Sequence, residues 1–191
     1  IDEIQSGIGR TGKWIAHQWA DIKPDVMTLA KGLGSGVPVG ACVAAGPAVG
    51  VFGPGNHGTT FGGGPLAMRA GIETLEIIET DGLMANAVAQ GERIVSGLKR
   101  NLAGIRGVVH IRGMGLMIGI ELDRPCGELV RQALAAGLLI NVTHDTVIRM
   151  LPPLILSAEE AELIVERLAP LISAFLRPQS EVNSSTTAKA A

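Results

Sequence analysis

The stretch that decides the reading is D-E-I-Q-S-G-I-G-R-T-G-K-W, Asp2 to Trp14. Its glycines fit two phosphate signatures at once. Gly7, Gly9 and Gly12 match G-x-G-x-x-G, while Gly7, Gly12 and Lys13 match most of G-x-x-x-x-G-K. Each signature makes demands on its surroundings. A dinucleotide fingerprint needs a buried apolar strand before the glycines, yet the residues ahead of Gly7 are mostly polar, and no helical pattern follows before Pro24. A P-loop needs Ser or Thr after its lysine to hold Mg²⁺, and this chain has Trp14 there. Nucleotide binding fails on both counts, and what remains is a turn.

Composition narrows the classes further. The 191 residues carry a formal net charge of −2, with 47% hydrophobic and 18% charged residues, enough apolar mass for a packed core. That charge supplies no footprint for nucleic acid or an anionic membrane. With two Trp, three Phe and no Tyr, base stacking has little to work with. Cys42 and Cys126 form no C-x-x-C pair, which suits a reduced protein. No secretory leader is visible, and no apolar run reaches the ~18 residues of a membrane helix. Cytoplasmic residence is the expectation. The chain opens on IDEIQ, without Met and already inside motif-like sequence, so an N-terminal part is expected to be missing.

Periodicity and punctuation predict the elements. DVMTLAK (25–31) has a β-rich start, and VPVGACVAAG (37–46) reads as an apolar strand inside a buried sheet. FGPGNHGTTFGGGP (52–65) is too glycine-rich for an element interior and reads as a functional loop. Helices are predicted from Pro65 to about Glu79, and from Leu83 to Leu102 with Asp81 as N-cap. Strands are expected at VVHIR (108–112), GLMIGIEL (115–122), LLINV and TVIRML. A short helix, CGELVRQALAAG, is closed by Gly137. Ser157 with Glu160 forms a capping box before a last amphipathic helix. Residues 1–80 read as part of an α/β domain, 81–176 as a smaller α+β domain, and 177–191 as a disordered tail.

Four motifs stand in order: DEIQSGIGRTGKW, PDVMTLAKGLGSGVPVGA, HGTTFGGGPLA and IRMLPPLI. Together they resemble the class III, fold type I, pyridoxal-phosphate aminotransferases, and among them the acetylornithine subfamily, over about residues 1–176. The resemblance implies an α/β fold: the C-terminal portion of a fold type I transferase, with part of its large mixed-sheet domain and its small C-terminal α+β domain. It also implies pyridoxal 5'-phosphate as cofactor, an electron sink that the protein binds and orients.

The resemblance assigns roles. Lys31, in TLAKGLGSG, matches the lysine that bonds to the cofactor aldehyde and shuttles a proton. That amine must be neutral to react, so a desolvated setting is expected; the residues alone would equally allow a surface lysine. Asp2 matches the carboxylate that keeps the pyridine nitrogen protonated, Gln5 the contact to the ring's phenolic oxygen, and Ile4 a residue against the ring face. Thr60, with Thr59 as auxiliary, matches the threonine that reaches across a homodimer interface to the partner's cofactor phosphate. A glycine-rich loop with paired hydroxyls suits an oxyanion, though it could equally be a surface loop. Gly64 stands where the family usually has Asn. Arg149, in VIRMLPPL, matches the clamp for the substrate α-carboxylate, a task suited to a bidentate guanidinium; an intramolecular ion pair is the alternative. The four histidines show no metal-ligand spacing, and no metal is expected.

The implied reaction is amino transfer from N2-acetyl-L-ornithine to 2-oxoglutarate, a step of arginine biosynthesis. Ornithine, succinylornithine and 4-aminobutyrate aminotransferases share all four motifs and remain open, as does a non-catalytic binding module that keeps the fold. The family's same-chain phosphate turn and ring-stacking aromatic belong upstream of Asp2. The 191 residues alone are therefore expected to lack competent cofactor binding. An absorption band from bound cofactor and normal turnover in the isolated chain would overturn that expectation.

Overall fold

A computed structural model describes residues 1–177, which form two compact units. The first comprises Ile1–Ala89, Met114–Met117 and Pro152–Leu156. Strand β1 (Val26–Leu29) pairs antiparallel with β2 (Ala41–Ala44), Leu29 opposite Ala41 and Val26 opposite Ala44. Residues 1–3 pair with the same strand in parallel. Thr28 N–H donates to the Ile1 carbonyl at 3.1 Å, and Glu3 N–H donates to the Thr28 carbonyl at 3.0 Å. A 3-10 turn (Lys31–Gly34) follows β1, and helix α1 (Pro65–Thr80) packs on it. Ile8, Ile78 and Leu83 are the buried centre of this unit, with Trp14, Leu29, Leu33, Leu75, Met84 and Leu154 packed around them.

The glycine turn is explained by this packing. Gly7 N–H closes on the Glu3 carbonyl at 2.9 Å, and Gly12 N–H closes on the Gly9 carbonyl at 2.9 Å. Gly12 has φ +90°, and a Cβ there would lie 2.3 Å from Val88 Cγ2. Lys13 sits 4.1 Å above the Trp19 ring and donates to the Gln18 carbonyl at 3.1 Å, so it is committed to its own loop. Arg10 is half-buried, its Nη1 donating to the carbonyls of Pro152 and Leu116. Those contacts hold the segments 114–117 and 152–156 on the turn.

The second unit comprises Gln90–Gly113, Ile118–Leu151 and the residues from Ser157 onward. Its four-stranded sheet has the order β3 (Val108–Met114), β4 (Met117–Leu122), β6 (Val147–Met150), β5 (Asn141–Thr143). Helix α2 (Leu83–Asn101) contributes Ile94 and Leu98 to the core, α3 (Glu128–Ala135) contributes Leu129, and α4 (Ala158–Leu176) contributes Leu168 and Ile172. Gly97 lets α2 and α4 approach closely, since a Cβ there would meet Val165 Cγ2 at 2.9 Å. The expected capping box forms: Ser157 N–H donates to Glu160, and Glu160 N–H donates to Ser157 Oγ.

Three expectations change. The strand over 37–46 is short and exposed along its length rather than buried, because among the described residues no layer covers β2. Asp81 is the C-cap of α1, its N–H bonded to the Ile77 carbonyl at 3.0 Å, and Gly82 at φ +64° separates it from α2. LLINV becomes a strand only from Asn141. The tail expected over 177–191 lies, apart from Arg177, outside the described residues.

Replacing Gly12 with Ala should cost about 1–3 kcal/mol, combining left-handed strain with the clash on Val88. Gly58→Ala, with nothing within 4 Å of the added methyl, should be nearly neutral. Chemical denaturation of a full-length protein carrying this chain measures both.

Candidate active site

Asp2 and Lys31 are both placed by one strand. Residues 1–3 run parallel to β1, with Asp2 bridged to Thr28, and two residues after β1 ends the chain reaches Lys31. Both residues therefore stand at the carboxyl ends of adjacent parallel segments, the edge where open α/β sheets bind ligands. Lys31 holds φ +45°, a left-handed backbone that is unfavourable for a residue with a Cβ. Such strain concentrates at functional sites, where surrounding packing enforces it. The enforcement comes from Leu29 and Leu33, both packed on the Ile8–Ile78–Leu83 cluster to either side of the lysine.

Asp2 Oδ1 accepts the Ile4 N–H at 2.9 Å, a local turn that orients the carboxylate. Ile4 and Gln5 follow in the turn, both half-buried. Asp2 and Lys31 are exposed. The desolvated setting expected for the lysine amine is thus not supplied by the described residues, since Lys31 leads a surface turn with no element packed over its side chain.

The loop residues are placed elsewhere. Thr59 and Thr60 are exposed within 51–63, and Thr59 Oγ1 accepts the Gly62 N–H at 3.1 Å. The loop's other side-chain contacts, Asn56 to Gly53 N–H and Phe52 against the His57 ring, stay inside it. Gly64 is the N-cap of α1, with Pro65 following at the first helical position. Arg149 belongs to the second unit. On β6 it lies opposite Gly119 of β4 and Asn141 of β5, between Ile148 and Met150, which are both buried. Because side chains alternate along a strand, the guanidinium occupies the sheet face opposite those core residues. Arg149 is half-buried on that other face, its Nε fully shielded from solvent.

Sequence reasoning passed over Glu3. Its side chain is only 1% exposed. Its carboxylate accepts from Ser6 Oγ, from Ala16 N–H at 3.1 Å and from His17 N–H at 2.8 Å, with His17 Nδ1 at 3.3 Å. Burial pushes its pKa up, but these hydrogen bonds outweigh that and hold it below the ordinary glutamate value. No local pattern announces this, because the donors come from a 3-10 turn (Ala16–Trp19) that only the fold brings back to Glu3.

Comparison with known proteins now decides the family. The family model for class-III aminotransferases matches residues 1–172. The chain belongs to the class-III aminotransferases. Among curated relatives, it is 65% identical over 179 residues to acetylornithine aminotransferase 1 of Bordetella bronchiseptica, covering 94% of this chain and 46% of that protein. It is 44% identical over 168 residues to the ornithine aminotransferase of Halalkalibacterium halodurans, covering 87% and 42%. Its fold matches the crystal structure of the Toxoplasma gondii ornithine aminotransferase with TM-score 0.85 at 33% identity, covering 91% of this chain and 42% of that one. The chain thus spans less than half the length of these relatives.

Class-III aminotransferases are pyridoxal-phosphate enzymes. The residues present fit that group in type: an amine at Lys31, on a left-handed turn directly after β1, and a carboxylate at Asp2, held by the Ile4 amide on the segment paired with β1. Among the described residues, no group of three or more His, Cys, Asp or Glu is placed to hold a metal ion, and no helix is long and apolar enough to cross a membrane.

Glu3 makes stability depend on pH. Its folded pKa is depressed, so its contribution is present above the unfolded value of about 4.5 and fades as pH falls through the lower folded value. Glu3→Gln should cost about 1–3 kcal/mol near pH 6 by leaving buried donors unmatched. The gap to wild type should shrink below pH 4.5, measured as unfolding free energy against pH.

Proposed function

We propose that a protein carrying this chain at its relatives' full length transfers the terminal amino group of N2-acetyl-L-ornithine to 2-oxoglutarate. The products are N-acetyl-L-glutamate 5-semialdehyde and L-glutamate, and the step serves arginine biosynthesis in the cytoplasm. The observation that carries the reaction class is the pairing of the Asp2 segment with the strand that leads into Lys31. The name of the 65% identical relative supports the donor. Residues 1–80 act as the C-terminal part of the cofactor domain, and 81–176 as the small domain.

Pyridoxal phosphate, when bound, supplies the electron sink. Lys31 Nζ would hold the cofactor through its aldehyde carbon until the incoming amine displaces it, and the freed lysine amine would then carry the proton from the amine-bearing carbon to that former aldehyde carbon. Asp2, whose carboxylate the Ile4 amide holds, would keep a proton on the ring nitrogen. Gln5 donates to the ring's phenolic oxygen, and Ile4 lies against the ring. Thr60, aided by Thr59, binds the phosphate held by the other subunit of a homodimer, a task for which an exposed loop suits. Arg149 grips the α-carboxylate of glutamate and 2-oxoglutarate in bidentate fashion. The two carboxylic substrates share this clamp, while the acetylated amine donor enters with its side-chain end toward the lysine.

Borohydride fixation followed by peptide mapping should place the cofactor on Lys31, and a map without it would end this reading. Lys31→Ala should lower turnover by about a thousandfold or more. Arg149→Lys should raise the KM for 2-oxoglutarate about tenfold, with a smaller effect on kcat. The 44% identity to an ornithine aminotransferase makes ornithine the competing donor. Amine-donor profiling of the full-length protein decides between them, a higher kcat/KM for ornithine overturning the acetylornithine assignment.

A further inference from the structure

Asp2 and Gln5 stand on one segment, residues 1–7, tied down at both ends. Upstream, residues 1–3 hold to β1 through the two Thr28 hydrogen bonds. Downstream, the turn closes through Gly7 N–H on the Glu3 carbonyl. Between these ends lies the Glu3 side chain, the buried carboxylate of the segment, gripped by Ser6 Oγ and by the amides of Ala16 and His17.

We propose that Glu3 is a positioning residue for the cofactor ring, its carboxylate setting where Asp2 and Gln5 stand relative to Lys31. The proposal rests on the roles given above to Asp2 and Gln5. Two features of the geometry carry it. First, alternation along the extended segment puts Glu3 inside and Asp2 outside, so any displacement of the Glu3 anchor moves Asp2, its covalent neighbour, by a comparable amount. Second, the Glu3 pocket offers three donors, two backbone amides and a hydroxyl, spread over both carboxylate oxygens. Only a group with two acceptor oxygens satisfies them together. Glutamine keeps the volume, but its NH₂ would face the His17 amide in one orientation and the Ala16 amide in the other, donor against donor. A shift near 1 Å at a positioning group is enough to cost a hundredfold in a reaction that depends on alignment.

The experiment uses the full-length holoenzyme and compares Glu3→Gln, Ser6→Ala, His17→Phe and Asp2→Asn. Three quantities are read: the cofactor dissociation constant, the pH midpoint of the bound cofactor's visible absorbance, and the melting temperature of the cofactor-free protein. Glu3→Gln should weaken cofactor binding about tenfold or more and displace the absorbance midpoint in the same direction as Asp2→Asn. Ser6→Ala, which removes one donor and keeps the carboxylate, should give a smaller displacement in that direction and keeps the test open if Glu3→Gln does not fold. His17→Phe removes the imidazole yet keeps the backbone amide, and its midpoint should stay nearest wild type. If Asp2→Asn moves the midpoint while Glu3→Gln, or Ser6→Ala in its place, changes only the melting temperature, the positioning role is overturned and the reading of Asp2 survives. If Asp2→Asn leaves the midpoint unmoved, the assignment of Asp2 fails, and the Glu3 proposal falls with it.

Discussion

Two backbone hydrogen bonds on Thr28, one from its N–H to Ile1 and one to its carbonyl from Glu3, hold the first residues of the chain against β1. The placement of Asp2 and Lys31 depends on that pairing. It is parallel, so both segments end on the same side, and Asp2 and Lys31 stand at those ends without being close in sequence. An antiparallel pairing would have sent them to opposite ends. Parallel pairs need crossover connections, and here the crossover is the turn Ile4–Trp14 with the short 3-10 turn after it.

The turn is held by two kinds of force. Ile8 is driven into the apolar cluster with Ile78 and Leu83, which also secures Leu29 and Leu33 around the lysine. Polar groups then set the register. Glu3 accepts from the amides of Ala16 and His17, Thr11 Oγ1 accepts the Trp19 indole N–H at 3.3 Å, and Arg10 reaches the carbonyls of Leu116 and Pro152. Burial is non-directional and tolerates slippage, whereas these hydrogen bonds do not.

Several elements were legible for physical reasons that local sequence contains. The Ser157–Glu160 box, Pro65 at the start of α1 and Gly137 after α3 are short-range signals, and each sits where its chemistry requires. Lys31, Asp2 and Arg149 were legible as members of ordered motifs. Asp81 misled because a polar residue between two helices can close the first or open the second, and Gly82 gave the closure to α1. Glu3 was not legible, since its partners lie 13 and 14 residues away across a turn whose path no local pattern specifies.

By itself, the amino-acid sequence determined the family, the glycine turn's unsuitability for nucleotide phosphates, the order of helices and strands, and the residue types available for the chemistry. These follow from local periodicity, steric demands and motif order. Tertiary structure alone decided that Gly12 is a glycine because of Val88, that Lys31 is held in a left-handed backbone, and that Arg149 faces away from the core of its sheet. It also decided that the D-E-I-Q segment is anchored through Glu3. The reason is common to all four: each depends on a contact between residues distant in the chain, or on which face of a sheet is covered, and neither quantity exists until the backbone has folded.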